Sequence, residues 1–149
     1  YYFDSSGIVK RYVDESGSQW VQDTIADPSN IVVIAEIGIV EVVTAFARRW
    51  RMHELTQQEY HFARHVFLRD VDQYQVVSID RQVIDRAVDL ASRHPLRAYD
   101  AVQLATALHL AEALEAEGLA VTFVSADKRL CAAAEQEGLA TVNPNLLSQ

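Results

Sequence analysis

A single cysteine, Cys131, leaves the chain without a partner for an intrachain disulfide, so nothing in it calls for an oxidising compartment. Flanked by Leu130 and Ala132, that thiol reads as a small core residue. Long apolar runs are also missing. None approaches the ~20 residues that span a bilayer, and no signal-peptide pattern opens the chain. A cytoplasmic protein without membrane contact is the expectation. Positive charge is scarce: 13 Lys and Arg stand against 21 Asp and Glu, a formal net charge of −8. That balance argues against a general nucleic-acid binder, which carries a basic surface. It leaves room for an enzyme whose carboxylates hold a cation. There is no GxGxxG, no P-loop and no GxSxG, so nothing supports nucleotide-cofactor binding or serine hydrolysis.

Repeats, low-complexity tracts and linkers are absent too, and 149 residues, half of them hydrophobic, make one domain, 1–149, with a sizeable core. Strand-like runs alternate with helical ones. Strands are expected at Tyr1–Phe3, Ile31–Ala35, Gln75–Ile79, Val121–Ser125 and Ala140–Val142. Between them lie helices with apolar stripes. One places Ile8, Val9, Tyr12 and Val13 together, and another Val83, Ile84, Ala87, Leu90 and Ala91. Thr56 with Glu59 forms a capping box that opens a third. This alternation implies an α/β fold with helices on both faces of a parallel sheet. In such folds the site lies beyond the carboxyl ends of the strands.

Four patches set one carboxylate among apolar or small residues: Asp4, Glu41, Asp100 and Asp127. A charge beside a core is costly unless it is paired or bound to a cation. Four such groups point to one acidic pocket for a hard divalent metal, and so to phosphoryl-transfer chemistry. The competing reading is helix capping, open to Asp4, Asp100 and Asp127 alike. Asp80 also follows a strand and precedes a helix, and is read as a cap. Glu41 stands mid-helix, where it cannot cap, and no neighbour one turn away is charged. Asp100 extends the buried stripe of Leu104, Leu108 and Ala111 by one turn. Arg48, Arg49 and Trp50 form the densest basic patch, suited either to phosphate and base contacts or to a cationic helix terminus. Lys10 is read as a surface residue that adds a weak substrate contact. His61 and His65 are spaced one turn apart, but no third zinc ligand accompanies them.

The order of these residues resembles the PIN-domain family. Phe3-Asp4-Ser5-Ser6-Gly7-Ile8-Val9-Lys10-Arg11-Tyr12 is similar to its first motif, and Val40-Glu41-Val42-Val43-Thr44-Ala45 to its second. The third matches Leu96 to Ala107 around Asp100, and the fourth matches Phe123 to Leu130 around Asp127. The likeness spans the chain and is nearest to stand-alone VapC-type toxins. It implies a three-layer α/β/α domain on a central parallel sheet of four to five strands. It also implies an Mg2+- or Mn2+-dependent endoribonuclease whose acidic quartet is Asp4, Glu41, Asp100 and Asp127, with Ser5 and Ser125 in support. The implied partners are RNA, a small antitoxin and a second copy of the chain. The apolar helix Glu36–Met52, with Phe46 and Trp50, is the expected docking surface, unless the helix from Thr56 covers it. The rivals are a haloacid-dehalogenase-like phosphatase, which wants Asp where Ser6 stands, a receiver domain, which lacks its acidic pair here, and a catalytically inactive PIN-type scaffold.

Overall fold

The computed structural model describes residues 1–147. Five short parallel strands form one sheet: β1 (Tyr2–Phe3), β2 (Val33–Ala35), β3 (Gln75–Val77), β4 (Thr122–Val124) and β5 (Ala140–Val142). Their order is β3-β2-β1-β4-β5. The chain leaves β1 for one side of the sheet and later returns to its other side with β4. The junction of β1 and β4 is therefore the switch point, where the crevice of an open parallel sheet forms.

Among the described residues seven helices connect the strands: α1 (Ser5–Ile8), α2 (Ser18–Ala26), α3 (Glu36–Arg51), α4 (Gln57–Asp70), α5 (Arg81–Arg93), α6 (Ala98–Glu115) and α7 (Lys128–Gln136). Alternation along each strand divides the core in two. Tyr2, Val33, Ala35 and Phe123 face α5, α6 and α7. Phe3, Ile34 and Val124 face the other way, against Ile8, Val42, Phe46 and Phe67 of α1, α3 and α4. This is the expected three-layer arrangement, with the upper number of expected strands.

The strands are shorter than the apolar runs that encode them. Ile31 is 62% exposed, outside β2, because pairing begins at Val33. Val76, on the edge strand β3, is also exposed. On α5 the buried stripe is Val83, Ala87 and Leu90, while Ile84 and Ala91 face outward. The first helix is a single turn continued by a 3-10 turn at Val9–Arg11. The capping box forms as expected: Thr56 Oγ1 accepts from Glu59 N at 3.1 Å, and Glu59 Oε2 accepts from Thr56 N at 2.7 Å. Gly17 starts α2 at φ 82°, and a Cβ there would stand 2.4 Å from the Pro144 carbonyl oxygen.

Helix α3 corrects the docking expectation. Phe46 is fully buried, edge-on to Tyr12 and Phe67 at 6.0 and 6.2 Å. Trp50 stacks on Tyr60 of α4 at 5.1 Å and 8°. So α4 covers this face within the monomer, and Val40, 62% exposed, is the large apolar side chain that stands clear on α3. Phe46→Ala should therefore cost about 3–5 kcal/mol, the usual range for emptying a core aromatic site. Val40→Ser should stay within about 0.5 kcal/mol of the parent. Urea unfolding followed by circular dichroism measures both.

Candidate active site at the carboxyl edge of the sheet

Asp4 follows β1 directly and is 3% exposed. Its carboxylate is enclosed by donors. Gly7 N donates to Oδ1 at 2.7 Å, capping α1, and Ser125 Oγ donates to Oδ2 at 2.7 Å. Ser6 Oγ reaches both oxygens at 2.8 and 2.9 Å. Ser6 also accepts from Ala126 N at 2.9 Å, tying α1 to the segment after β4. Gly7 is dictated by space: a Cβ there would stand 2.7 Å from the Val124 carbonyl oxygen. Burial pushes the Asp4 carboxyl up to about 7, against the pull of Ser125, Ser6 and Gly7, and the charge of Glu41 adds to the rise.

Glu41 projects from the second turn of α3. Gln103 Nε2 donates to its Oε1 at 2.6 Å, and Ser5 Oγ donates to its Oε2 at 3.1 Å. Burial raises its pKa. The Gln103 and Ser5 hydrogen bonds oppose the rise, and Asp100 adds to it. Asp100 lies in the first turn of α6, whose N-cap is Arg97. Asp100 is therefore not the N-cap itself; it stands in the first turn and accepts a hydrogen bond from the Arg97 backbone N–H. Its pKa is raised by burial and then by Asp127, with Arg97 and Arg129 pulling down. Asp127 does cap α7, accepting from Arg129 N at 2.8 Å and Leu130 N at 3.2 Å. Capping and membership of the cluster are thus compatible for Asp4 and Asp127. Asp80 is a cap alone, accepting from Val83 N at 3.0 Å.

The four carboxylates form a chain of mutual repulsion, Asp4 with Glu41, Glu41 with Asp100 and Asp100 with Asp127. Among the described residues no three acidic, histidine or cysteine side chains stand close enough to hold a metal ion unaided. The donor set still fits a hard divalent cation: every donor is oxygen, burial disfavours the charged form of Asp4, Glu41 and Asp100, and Mg2+ keeps several waters between itself and protein ligands.

An open groove of about 1060 Å³ runs along α3 from Ile37 to Met52. Glu41, Ser5 and Ser6 line it, as do Arg48, Arg49, Arg97 and Tyr99. Arg48 is exposed there. Arg49 is ion-paired with Glu15. Lys10 departs from expectation: it is 2% exposed, with Nζ donating to Glu15 Oε1 at 2.8 Å and the Ser16 carbonyl at 2.7 Å. Two cations on one carboxylate pin the loop after Val13 against α3. Trp50, offered by the sequence as available for base stacking, is engaged with Tyr60. His61 lies against the same rings and is exposed. Sequence reasoning missed Ser6, Gly7 and Gln103. The signal for Gln103 was available: it is a polar residue between Asp100 and Leu104, on a helix otherwise rich in apolar side chains.

The family model described as PIN domain matches residues 1–136. Ribonuclease VapC45 of Mycobacterium tuberculosis (strain CDC 1551 / Oshkosh) is 33% identical over 111 residues, 72% of this chain and 74% of that protein. Among solved structures, VapC20 of Mycobacterium tuberculosis, a toxin that cleaves the sarcin–ricin loop, superposes with TM-score 0.63 at 15% identity. The match covers 95% of this chain and 96% of that one. A toxin–antitoxin complex from Klebsiella pneumoniae gives TM-score 0.61 at 16% identity, with 96% of each chain covered.

The raised Asp4 pKa sets a pH dependence. A carboxyl whose folded pKa lies above its unfolded value contributes stability while protonated, and loses it as pH rises through the folded value. For Asp4 that loss runs from near 3.8 up through about 7. Glu41 and Asp100 shift in the same direction. In excess EDTA the protein should melt several degrees lower at about pH 8 than at about pH 5, by this linkage. Asp4→Asn keeps the Gly7 cap through its amide oxygen and should remove much of the difference. Thermal melts of both proteins in EDTA test this.

Proposed function

The chain belongs to the PIN-domain family, and from that premise we propose that it is a divalent-metal-dependent endoribonuclease, the toxin of a toxin–antitoxin pair. The observation that carries the reading is the placement of Asp4, Glu41, Asp100 and Asp127, from four separate elements, at the carboxyl edge of one sheet. A relative named as a ribonuclease, similar over nearly three quarters of this chain, supports the choice of RNA. A structural neighbour that is a toxin–antitoxin complex supports the partner.

In this proposal Asp4 and Asp100 are direct ligands of Mg2+ or Mn2+. Glu41 and Asp127 complete the shell or hold its waters. Ser125 and Ser6 aim the Asp4 carboxylate, and Ser5 aims Glu41. When bound, the cation supplies a water of lowered pKa and offsets charge on the leaving oxygen. The chain itself provides no nucleophile. The hydroxyls of Ser5, Ser6 and Ser125 are all committed to carboxylates.

RNA recognition under a net charge of −8 has to be local. Arg48 and Arg97 are the proposed phosphate contacts along the groove, and the exposed Tyr99 is the proposed stacking surface. Lys10 and Arg49 act through Glu15, shaping the wall. A small antitoxin protein and a second copy of the chain are the proposed protein partners. No helix among the described residues is long and apolar enough to cross a membrane, and the cytoplasm is the proposed location.

The deciding experiment is incubation with total RNA and Mg2+ or Mn2+, with the cleavage sites mapped. Chelation should abolish cleavage. Asp4→Asn and Asp100→Asn should each lower it at least about 100-fold, the scale for losing a key electrostatic element. Asp80→Asn, altering a cap outside the cluster, should retain it. Full activity in excess EDTA overturns the proposal.

A further inference from the structure

Gln103 is 1% exposed inside α6, with Ala101, Leu104 and Ala105 buried around it. A primary amide in such a place costs free energy unless its hydrogen bonds are made. Both ends are engaged. Tyr2 Oη donates to Gln103 Oε1 at 2.7 Å, and Gln103 Nε2 donates to Glu41 Oε1 at 2.6 Å. The order cannot be reversed while Glu41 is ionised, because a carboxylate only accepts and must face the amide nitrogen. The amide oxygen is then left toward Tyr2, a fully buried phenol stacked on Phe123 at 5.6 Å. Three elements therefore meet at one amide: β1 through Tyr2, α6 through Gln103 and α3 through Glu41.

This chain of bonds does two things to the cluster. Glu41 has a long, flexible side chain that would otherwise sample several rotamers. With Gln103 on Oε1 and Ser5 on Oε2, one orientation is selected. Gln103 also stands one turn after Asp100 on α6, so its bond to Glu41 fixes the spacing between the carboxylates of α3 and α6. Gly38 keeps the approach open: a Cβ there would sit 3.5 Å from the amide nitrogen, and a longer side chain would crowd it.

Resting on the metal-site reading above, we propose that Gln103 is a positioning residue that holds the Glu41 carboxylate in the orientation it presents to the cation, with the Tyr2 hydroxyl setting the direction of the amide. Outer-shell partners of this kind typically change metal affinity about 10–100-fold when removed.

The test compares the parent with Gln103→Met, Tyr2→Phe and the double variant, reading Mn2+ affinity from the free-ion paramagnetic resonance signal. Gln103→Met should weaken Mn2+ binding about tenfold or more. The kcat for RNA should fall while KM stays near the parent value, since the groove that binds RNA is unchanged. Tyr2→Phe, which keeps the ring stack, should weaken Mn2+ by a smaller factor. The double variant removes the Tyr2 hydroxyl as well and should bind Mn2+ as poorly as Gln103→Met. A purely structural role would lower the melting temperature and leave Mn2+ affinity intact, which would overturn the inference. If both Gln103 variants fail to fold, Tyr2→Phe decides, and unchanged Mn2+ affinity there overturns it. A parent protein that binds no Mn2+ and cleaves no RNA instead overturns the metal-site reading.

Discussion

One buried carboxylate governs the centre of this molecule. Asp4 sits at the end of β1, where water is excluded and no cationic side chain is hydrogen-bonded to it. Its surroundings are arranged to tolerate it: two serine hydroxyls, one backbone amide and a glycine that lets the backbone come close. Those donors do not come from one place. Ser6 and Gly7 belong to α1, while Ser125 follows β4. The Asp4 amide also donates to the Val124 carbonyl at 3.0 Å. The β1–β4 junction is thus held as much by the shell of one carboxylate as by pairing, since β1 itself is only two residues long.

Repulsion extends outward from that point. Glu41, Asp100 and Asp127 arrive on α3, α6 and the start of α7. Like charges in a partly dry pocket push their carriers apart. Apolar packing resists this, through Tyr12, Phe46 and Phe67 on one face of the sheet and Tyr2 with Phe123 on the other. The scaffold and the hydrogen bonds from Ser5, Ser6, Ser125 and Gln103 together hold the carboxylates in place against that repulsion.

Most of this was legible in the sequence, for identifiable reasons. Alternating strand and helix patterns fix an all-parallel sheet, and an acidic residue amid apolar neighbours is a conspicuous anomaly. Glu41 could be singled out because nothing one turn away explained it. Strand ends were less legible: Ile31 is as apolar as Ile34, and only pairing with β3 separates them. Lys10 was misplaced because its partner, Glu15, sits five residues on, outside any helical spacing, and the two meet only because the chain turns between them at Tyr12 and Val13. Gln103 was hidden by its own helix, where one polar residue in an apolar stripe looks like tolerated noise. Its partners lie 62 and 101 residues away.

Gly7 has a consequence for genetics. It carries no functional group, yet the 2.7 Å between its missing Cβ and the Val124 carbonyl leaves no room for even alanine without shifting the turn that caps Asp4. Under the proposed function, a selection for survivors would recover lesions at Gly7 beside lesions in the four carboxylates, and they would masquerade as loss of a proposed metal ligand. Position 7 is therefore where a genetic map of this protein would most readily confuse architecture with chemistry.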